Sequence, residues 1–401
     1  MLKRLLVGLL AALACAGVPA AEVPKGSLVI IGGGLRADNA QVWQKIVELA
    51  GGPGARIAVL PSAAQNPERS GRNTAEHLNR YGAQAFVVPV APRLAGTDAR
   101  KAADDPALAG AVRDAGGAFF VGGDQGRITS SLRRADGTNT AVLDALWTMY
   151  RRGGVIAGTS AGAAIMSSTM FFDPPPILPM LKQPGVVEGK DVTAGLGFVG
   201  DDVFVDQHLL IRGRFARMLP VMLARRYTLG LGIDENTAAV VGPSREVSII
   251  GYRGAIVLDL SQAATDNAQP ALNVSNARIS YLDSGDRFSL ASRRYLPGLD
   301  KVRYDRSHPE HIGPIFFPDI VGNTAVVNLL EKLADSDQQQ AIGLAFEGPA
   351  SKAPERGYEF TFTRMADSEE YASTRSDAWS LYRIRMDVRP VRMHQPLYSA
   401  Q

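Results

Sequence analysis

The amino-acid sequence predicts an α/β protein whose parallel sheet is covered by helices on both faces. Short, wholly apolar runs end at glycine or proline turns, the pattern of strands buried on both faces. Helix-period segments alternate with those runs, which argues for βα units and a parallel sheet. The chain has 401 residues, 46% hydrophobic and 21% charged, enough for a large core and unlike a disordered or fibrous composition. That length suits two domains, or one large domain with an extension.

The N-terminus stands outside the fold. Lys3 and Arg4 precede an apolar stretch over 5–14, which is too short to span a bilayer, and Val18-Pro19-Ala20 offers small residues for cleavage after Ala20. Residues 1–20 are therefore expected to be a signal peptide. Lipidation at Cys15 is a weaker alternative, since Ala12-Leu13-Ala14 makes a poor lipobox. No later run reaches about 18 apolar residues, so a soluble secreted protein is expected, with the periplasm as the alternative destination. Cys15 is the sole cysteine, so the processed chain carries no disulfide. Without Lys3 and Arg4, 41 basic residues face 40 acidic ones. No basic run or aromatic-basic interleaving points to nucleic acid.

From residue 27 the elements follow in order. Leu28-Val29-Ile30-Ile31 is a strand closed by Gly32-Gly33-Gly34, and 40–50 is helical. Strand 56–60 ends at Pro61, helix 73–81 follows, and 85–88 is a third strand. Strand 118–121 closes on Gly122-Gly123, 140–151 is an amphipathic helix, and Val155-Ile156-Ala157 is the strand that feeds Ser160. After about residue 240 the texture changes to closely spaced strands at 247–250, 255–258 and 278–282, with Gly-containing turns. These mark out a catalytic unit over 27–292. Residues 293–401 read as an α+β extension: a loop over 308–318, a helix over 324–334, and alternating strands at 358–362 and 380–384.

Gly158-Thr159-Ser160-Ala161-Gly162 matches the nucleophile elbow G-x-S-x-G, with an apolar strand before it and a helix start after it. A sharp strand-to-helix turn would expose the Ser160 hydroxyl, and N–H groups at the helix start could stabilise an oxyanion. A serine needs a base, and there are five histidines. His77 lies mid-helix on a polar face, and His394 is near the C-terminus. His308 and His311 form H-x-x-H in a loop with no obvious third ligand, so no metal is expected. His208, at the end of the strand-like Val203-Phe204-Val205, stands where such sheets carry catalytic groups. Asp206, Asp234 and Glu235 are all candidates for the carboxylate that fixes the imidazole tautomer. The order Ser, His, acid differs from that of α/β-hydrolases, and no HGGG-type motif is present.

Four linked motifs make the resemblance specific. They are the Gly-Thr-Ser-Ala-Gly-Ala elbow at 158–163, Gly122-Gly123-Asp124-Gln125, Asp206-Gln207-His208 followed by Arg212, Arg214 and Arg217, and Gly-Ile-Asp-Glu-Asn-Thr-Ala at 232–238. Together, over roughly 27–290, the chain resembles the cyanophycinases, serine peptidases related to peptidase E. The resemblance implies a class I glutamine-amidotransferase-like (flavodoxin-like) parallel-sheet sandwich. It implies Ser160 as nucleophile, His208 as base and Glu235 as the orienting acid, with no cofactor. The N–H groups of Ala161 and Gly123 would form the oxyanion hole. Thr159, Gln125, Asp206, Arg212, Arg214 and Arg217 would meet substrate. On a continuous helix the three arginines, offset by two and five, do not line up on one edge, so only the resemblance favours that role. The implied substrate is cyanophycin, a poly-aspartate with arginine on each β-carboxyl, cleaved to β-aspartyl-arginine dipeptides. Alternatives are a peptidase E-like hydrolase of short aspartyl peptides and a catalytically dead secreted binding protein. The sequence leaves the oligomeric state open, a homodimer included.

Overall fold

The computed structural model describes residues 24–183 and 185–398. The expected signal peptide, with Cys15 and the cleavage point after Ala20, lies outside them.

The described residues form two large sheets. The first is built from β1 (Ser27–Ile31), β2 (Arg56–Leu60), β3 (Gln84–Val87), β4 (Gly117–Phe120) and β5 (Val155–Thr159). These run parallel in the order β3-β2-β4-β5-β1. Strands β1 and β4 are buried at every residue, as the wholly apolar runs require of strands with helices on both faces. The helices α1 (Ala40–Leu49), α2 (Pro67–Arg80), α3 (Gln125–Leu132) and α4 (Ala141–Arg152) start at side-chain caps from Asn39, Asn66, Asp124 and Thr140. Helix α2 begins six residues before the expected position. Asn66 accepts the N–H of Arg69, and Pro67 occupies the first turn, where its missing N–H is harmless.

After β5 come the four-residue α5 (Ala161–Ala164), β6 (Val203–Gln207), α6 (Phe215–Arg225), β7 (Leu229–Ile233) and β8 (Thr237–Val241). Strand β8 pairs antiparallel with β1 in the first sheet, whereas β6 and β7 lie parallel in the second. The chain therefore changes sheets at Asp234-Glu235-Asn236. Strand β9 (Glu246–Gly251) continues the first sheet beyond β8.

The second sheet runs on from β7 through β10 (Ala255–Asp259) and β11 (Val274–Leu282). Residues after 292 supply further strands of this sheet, among them β12 (Ile315–Phe317), β13 (Gln340–Ala345), β14 (Arg356–Thr363) and β15 (Trp379–Arg392), and the helix α7 (Ala325–Ala334). Strand β15 pairs with β11, with Ile384 opposite Ile279, so C-terminal strands extend the same sheet. One core cluster joins Phe204, Phe215 and Met218 to Leu329, Phe360 and Met386. The stretch 308–318 is loop except for β12 at its end, which pairs parallel with β13.

Candidate active site

Strand β5 delivers Ser160 into a backbone conformation that non-glycine residues rarely hold, φ 54° and ψ −110°. Its neighbours must be small. A Cβ on Gly158 would meet the Gly162 carbonyl oxygen at 2.2 Å, and one on Gly162 would meet the Phe120 carbonyl oxygen at 2.5 Å. Ser160 donates its N–H to the Ile31 carbonyl at 3.0 Å, which ties the elbow to the end of β1. The Ser160 hydroxyl then points to the imidazole of His208, with Oγ 2.8 Å from Nε2.

His208 follows β6 at φ 53° and donates its N–H to the Gly32 carbonyl at 2.7 Å. Its Nδ1 stands 2.5 Å from Oε1 of Glu235. With Nδ1 protonated toward that carboxylate, Nε2 is left as an acceptor for the serine proton. Burial pushes the imidazole pKa below its ordinary 6.5; Glu235 opposes that shift, while the charges of Arg212 and Arg214 add to it. The lowered pKa favours the neutral imidazole, the form in which Nε2 can accept a proton.

Of the three carboxylates left open by the sequence, Glu235 alone contacts His208. Asp234, fully buried, accepts the N–H groups of Leu210 and Ile211 at 3.1 Å each and pairs with Arg253 at 3.3 Å. Asp206 is held by Arg217 through two bonds of 2.7 Å, Nε to Oδ2 and Nη2 to Oδ1. That pair is shut away from solvent, with residue exposures of 1% and 6%, and the Arg217 guanidinium lies 4.1 Å from the centre of the Phe171 ring. Each group is occupied by the other. Arg214 donates from one nitrogen to the Gln207 carbonyl at 2.9 Å and to its side-chain oxygen at 3.1 Å. Arg212 is exposed and has no ion-pair partner among the described residues.

The Gly122-Gly123 loop borders Ser160. A Cβ on Gly122 would lie 3.2 Å from the Ser160 Cβ, and one on Gly123, at φ 145°, would strike the Ala63 carbonyl at 2.1 Å. Gln125 next to it donates its amide to the carbonyls of Phe171 and Phe172 at 2.9 and 3.0 Å. The Oγ1 of Thr159 is buried without a hydrogen-bond partner. Ala161 opens α5, where first-turn N–H groups have no intrahelical acceptor. Three of the other four histidines have neighbours elsewhere: His77 stacks on Trp43 at 5.4 Å, His308 bonds Ser307 and His311 bonds the Asp335 carbonyl; His394 follows the end of β15. Among the described residues no group of three or more His, Cys, Asp or Glu side chains could hold a metal ion.

Two features escaped the sequence reading. The glycines after β1 make room for the imidazole and its acid: a Cβ on Gly33 would fall 2.2 Å from His208 Cε1, and one on Gly34 would fall 2.9 Å from Glu235 Oε2. Asn236, at φ 54°, receives the Asn39 amide on its carbonyl and its side-chain oxygen at 2.9 and 3.0 Å. The signals were present, since three glycines at a strand end and an Asn able to adopt a left-handed backbone both stand in the sequence.

The model of Peptidase family S51 matches residues 28–245, more than half of the chain. The cyanophycinase of Trichormus variabilis is 27% identical over 295 residues, covering 70% of this chain and 91% of its own. That of Geminocystis herdmanii is 28% identical over 290 residues, covering 69% and 97%. A crystal structure of a peptidase from an acI-B1 Actinobacterium aligns with a TM-score of 0.47 at 22% identity, over 67% of this chain and 98% of that one. The chain belongs to peptidase family S51 and is a serine-type peptidase similar to the cyanophycinases.

Proposed function

We propose that this protein hydrolyses cyanophycin to β-aspartyl-arginine dipeptides through an acyl-enzyme on Ser160. The observation that carries the reading is the unbroken line from Ser160 Oγ through the His208 imidazole to Glu235, at 2.8 and 2.5 Å. His208 Nε2 takes the hydroxyl proton as Oγ attacks the scissile aspartyl carbonyl. The N–H groups of Ala161 and Gly123 receive the oxyanion. His208 returns the proton to the departing amine as the C–N bond breaks. A water then attacks the acyl carbonyl, giving its proton to His208, and Ser160 Oγ leaves with that proton. Glu235 holds the tautomer throughout. The sequence of steps needs neither metal nor organic cofactor.

Each unit of the polymer carries a free carboxylate and a guanidinium. Arg212 and Arg214 suit the carboxylate, and Thr159 Oγ1 and Gln125 offer polar contacts beside the nucleophile. Asp206 and Arg217, saturated by each other, take a supporting role behind Gln207 and His208. The scaffold in this reading is a class I glutamine-amidotransferase-like unit over 27–292 with an extension over 293–401. The N-terminal pattern of charge and hydropathy supports secretion.

Side-by-side assays on insoluble cyanophycin and on short α-aspartyl dipeptides test the substrate. Release of β-aspartyl-arginine, with little turnover of the dipeptides, is expected. The reverse preference would make the enzyme peptidase E-like instead.

A further inference from the structure

The turn that follows His208 carries Arg212 and Arg214, and it is gripped from two sides. On one side Asp234 accepts the N–H groups of Leu210 and Ile211. On the other stands a segment from far along the chain. Thr324 donates its backbone N–H to the Leu210 carbonyl at 3.0 Å. Gly213, at φ 58°, lies directly against Val321: a Cβ there would fall 1.8 Å from the Val321 carbonyl oxygen. Any side chain at 213 would force the two segments apart.

The far segment is itself seated firmly. Ile320 is fully buried and donates its N–H to the Leu344 carbonyl in β13 at 2.8 Å. Its side chain fills the space over Gly343, where a Cβ would come within 2.6 Å of Ile320 Cβ and Cγ1. Thr324 runs straight into α7, whose Val326, Leu329, Leu330 and Leu333 are buried in the second core. A close-packed path therefore leads from β13 through residues 320–324 to the arginine turn, and packed interiors transmit displacement because they contain little free space.

We infer that residues 320–324 are a positioning element of the active site, bracing the turn that sets Arg212 and Arg214 against Ser160 and His208. This gives the C-terminal strands a part in substrate binding although they lie outside the S51-matched region. The inference rests on the reading of the arginine turn as substrate-binding. Its effects reach two observables. Substrate affinity depends on where Arg212 and Arg214 stand. The proton affinity of His208 also depends on them, because the charged groups facing it are Glu235, Arg212 and Arg214.

The test is Gly343→Ala, a substitution in β13 outside the catalytic line. Ordinary contact needs about 3.5 Å, so Ile320 must yield by about 1 Å. KM for cyanophycin should rise roughly tenfold, the effect of weakening a charge-assisted hydrogen bond, with kcat within about threefold. The acid limb of kcat/KM should move with it. Ile320→Val, a single-methyl deletion that cores usually tolerate, serves if Gly343→Ala does not fold; it should raise KM about two- to threefold. A folded Gly343→Ala or Ile320→Val with unchanged KM and unchanged acid limb, altered only in melting temperature, overturns the inference. Arg212→Ala and Arg214→Ala separate the two levels. If they raise KM while the Gly343 and Ile320 variants do not, the brace alone fails. If they leave KM unchanged, the arginine-turn reading fails and the brace falls with it.

Discussion

Replacing Gly33 by alanine tests whether the glycines after β1 exist to seat the catalytic imidazole. A Cβ at Gly33 would stand 2.2 Å from His208 Cε1, 2.5 Å from Nε2 and 2.7 Å from Nδ1. Ordinary contact between such atoms is about 3.5 Å, so the ring must retreat by more than about 1 Å. It has no slack in which to do so, being bonded at 2.8 Å to Ser160 and 2.5 Å to Glu235. A misplacement of about 1 Å typically costs about 10²-fold in rate, and loss of general-base catalysis costs about 10²–10⁴-fold. We therefore expect kcat to fall at least a hundredfold. Gly33 also holds φ 119°, which adds about 1–3 kcal/mol of backbone strain for alanine, so stability must be measured beside activity. The assay is dipeptide release from cyanophycin, with thermal unfolding as the control for folding. A folded Gly33→Ala enzyme within threefold of wild-type kcat would refute the seating argument.

Other outcomes follow from the same geometry. Glu235→Gln keeps the shape but no longer fixes the imidazole tautomer, so kcat should drop about 10³–10⁴-fold, measured at saturating substrate. Burial and the neighbouring arginines hold the His208 pKa below 6.5. The rate should therefore rise with pH through a midpoint below 6.5 and level off above it. Below 6.5 the unfolded chain takes up this proton before the folded one, so stability contributed at this group falls as pH falls. Arg212→Ala removes one depressing charge and should shift the kcat/KM midpoint upward in a pH–rate profile. Arg217→Met strands Asp206 in a site with almost no solvent contact; breaking such a pair costs about 3–5 kcal/mol, read from denaturant unfolding.

The parallel half of the fold was legible because its strands are mostly apolar and punctuated by glycine or proline. The elbow around Ser160 was legible because it needs small residues at fixed offsets from the serine. His208 could be chosen from its place at a strand end. The acid could not be chosen from the residues alone. Asp234 and Glu235 are adjacent in the tight connection between β7 and β8, where no strand or helix period says which way each side chain faces. Asp234 turns to the Leu210 and Ile211 amides, and Glu235 turns to the imidazole. The arginines did not line up as a helical stripe because only Arg217 lies inside α6, which starts at Phe215. Arg212 and Arg214 belong to the preceding turn, and Arg217 is consumed by Asp206. Strand β8 was missed, being joined to β7 by only the three residues that change sheets. Contacts such as Gly213 on Val321 are invisible to local patterns, since nothing in either segment names its partner.

The most direct measurement compares the soluble products released from insoluble cyanophycin by the wild-type protein and by Ser160→Ala, together with labelling by a fluorophosphonate probe. The wild type should release β-aspartyl-arginine and take up the label at Ser160, while the variant folds, binds polymer and does neither. Dipeptide release by Ser160→Ala at the wild-type rate would contradict the assignment of Ser160 as nucleophile.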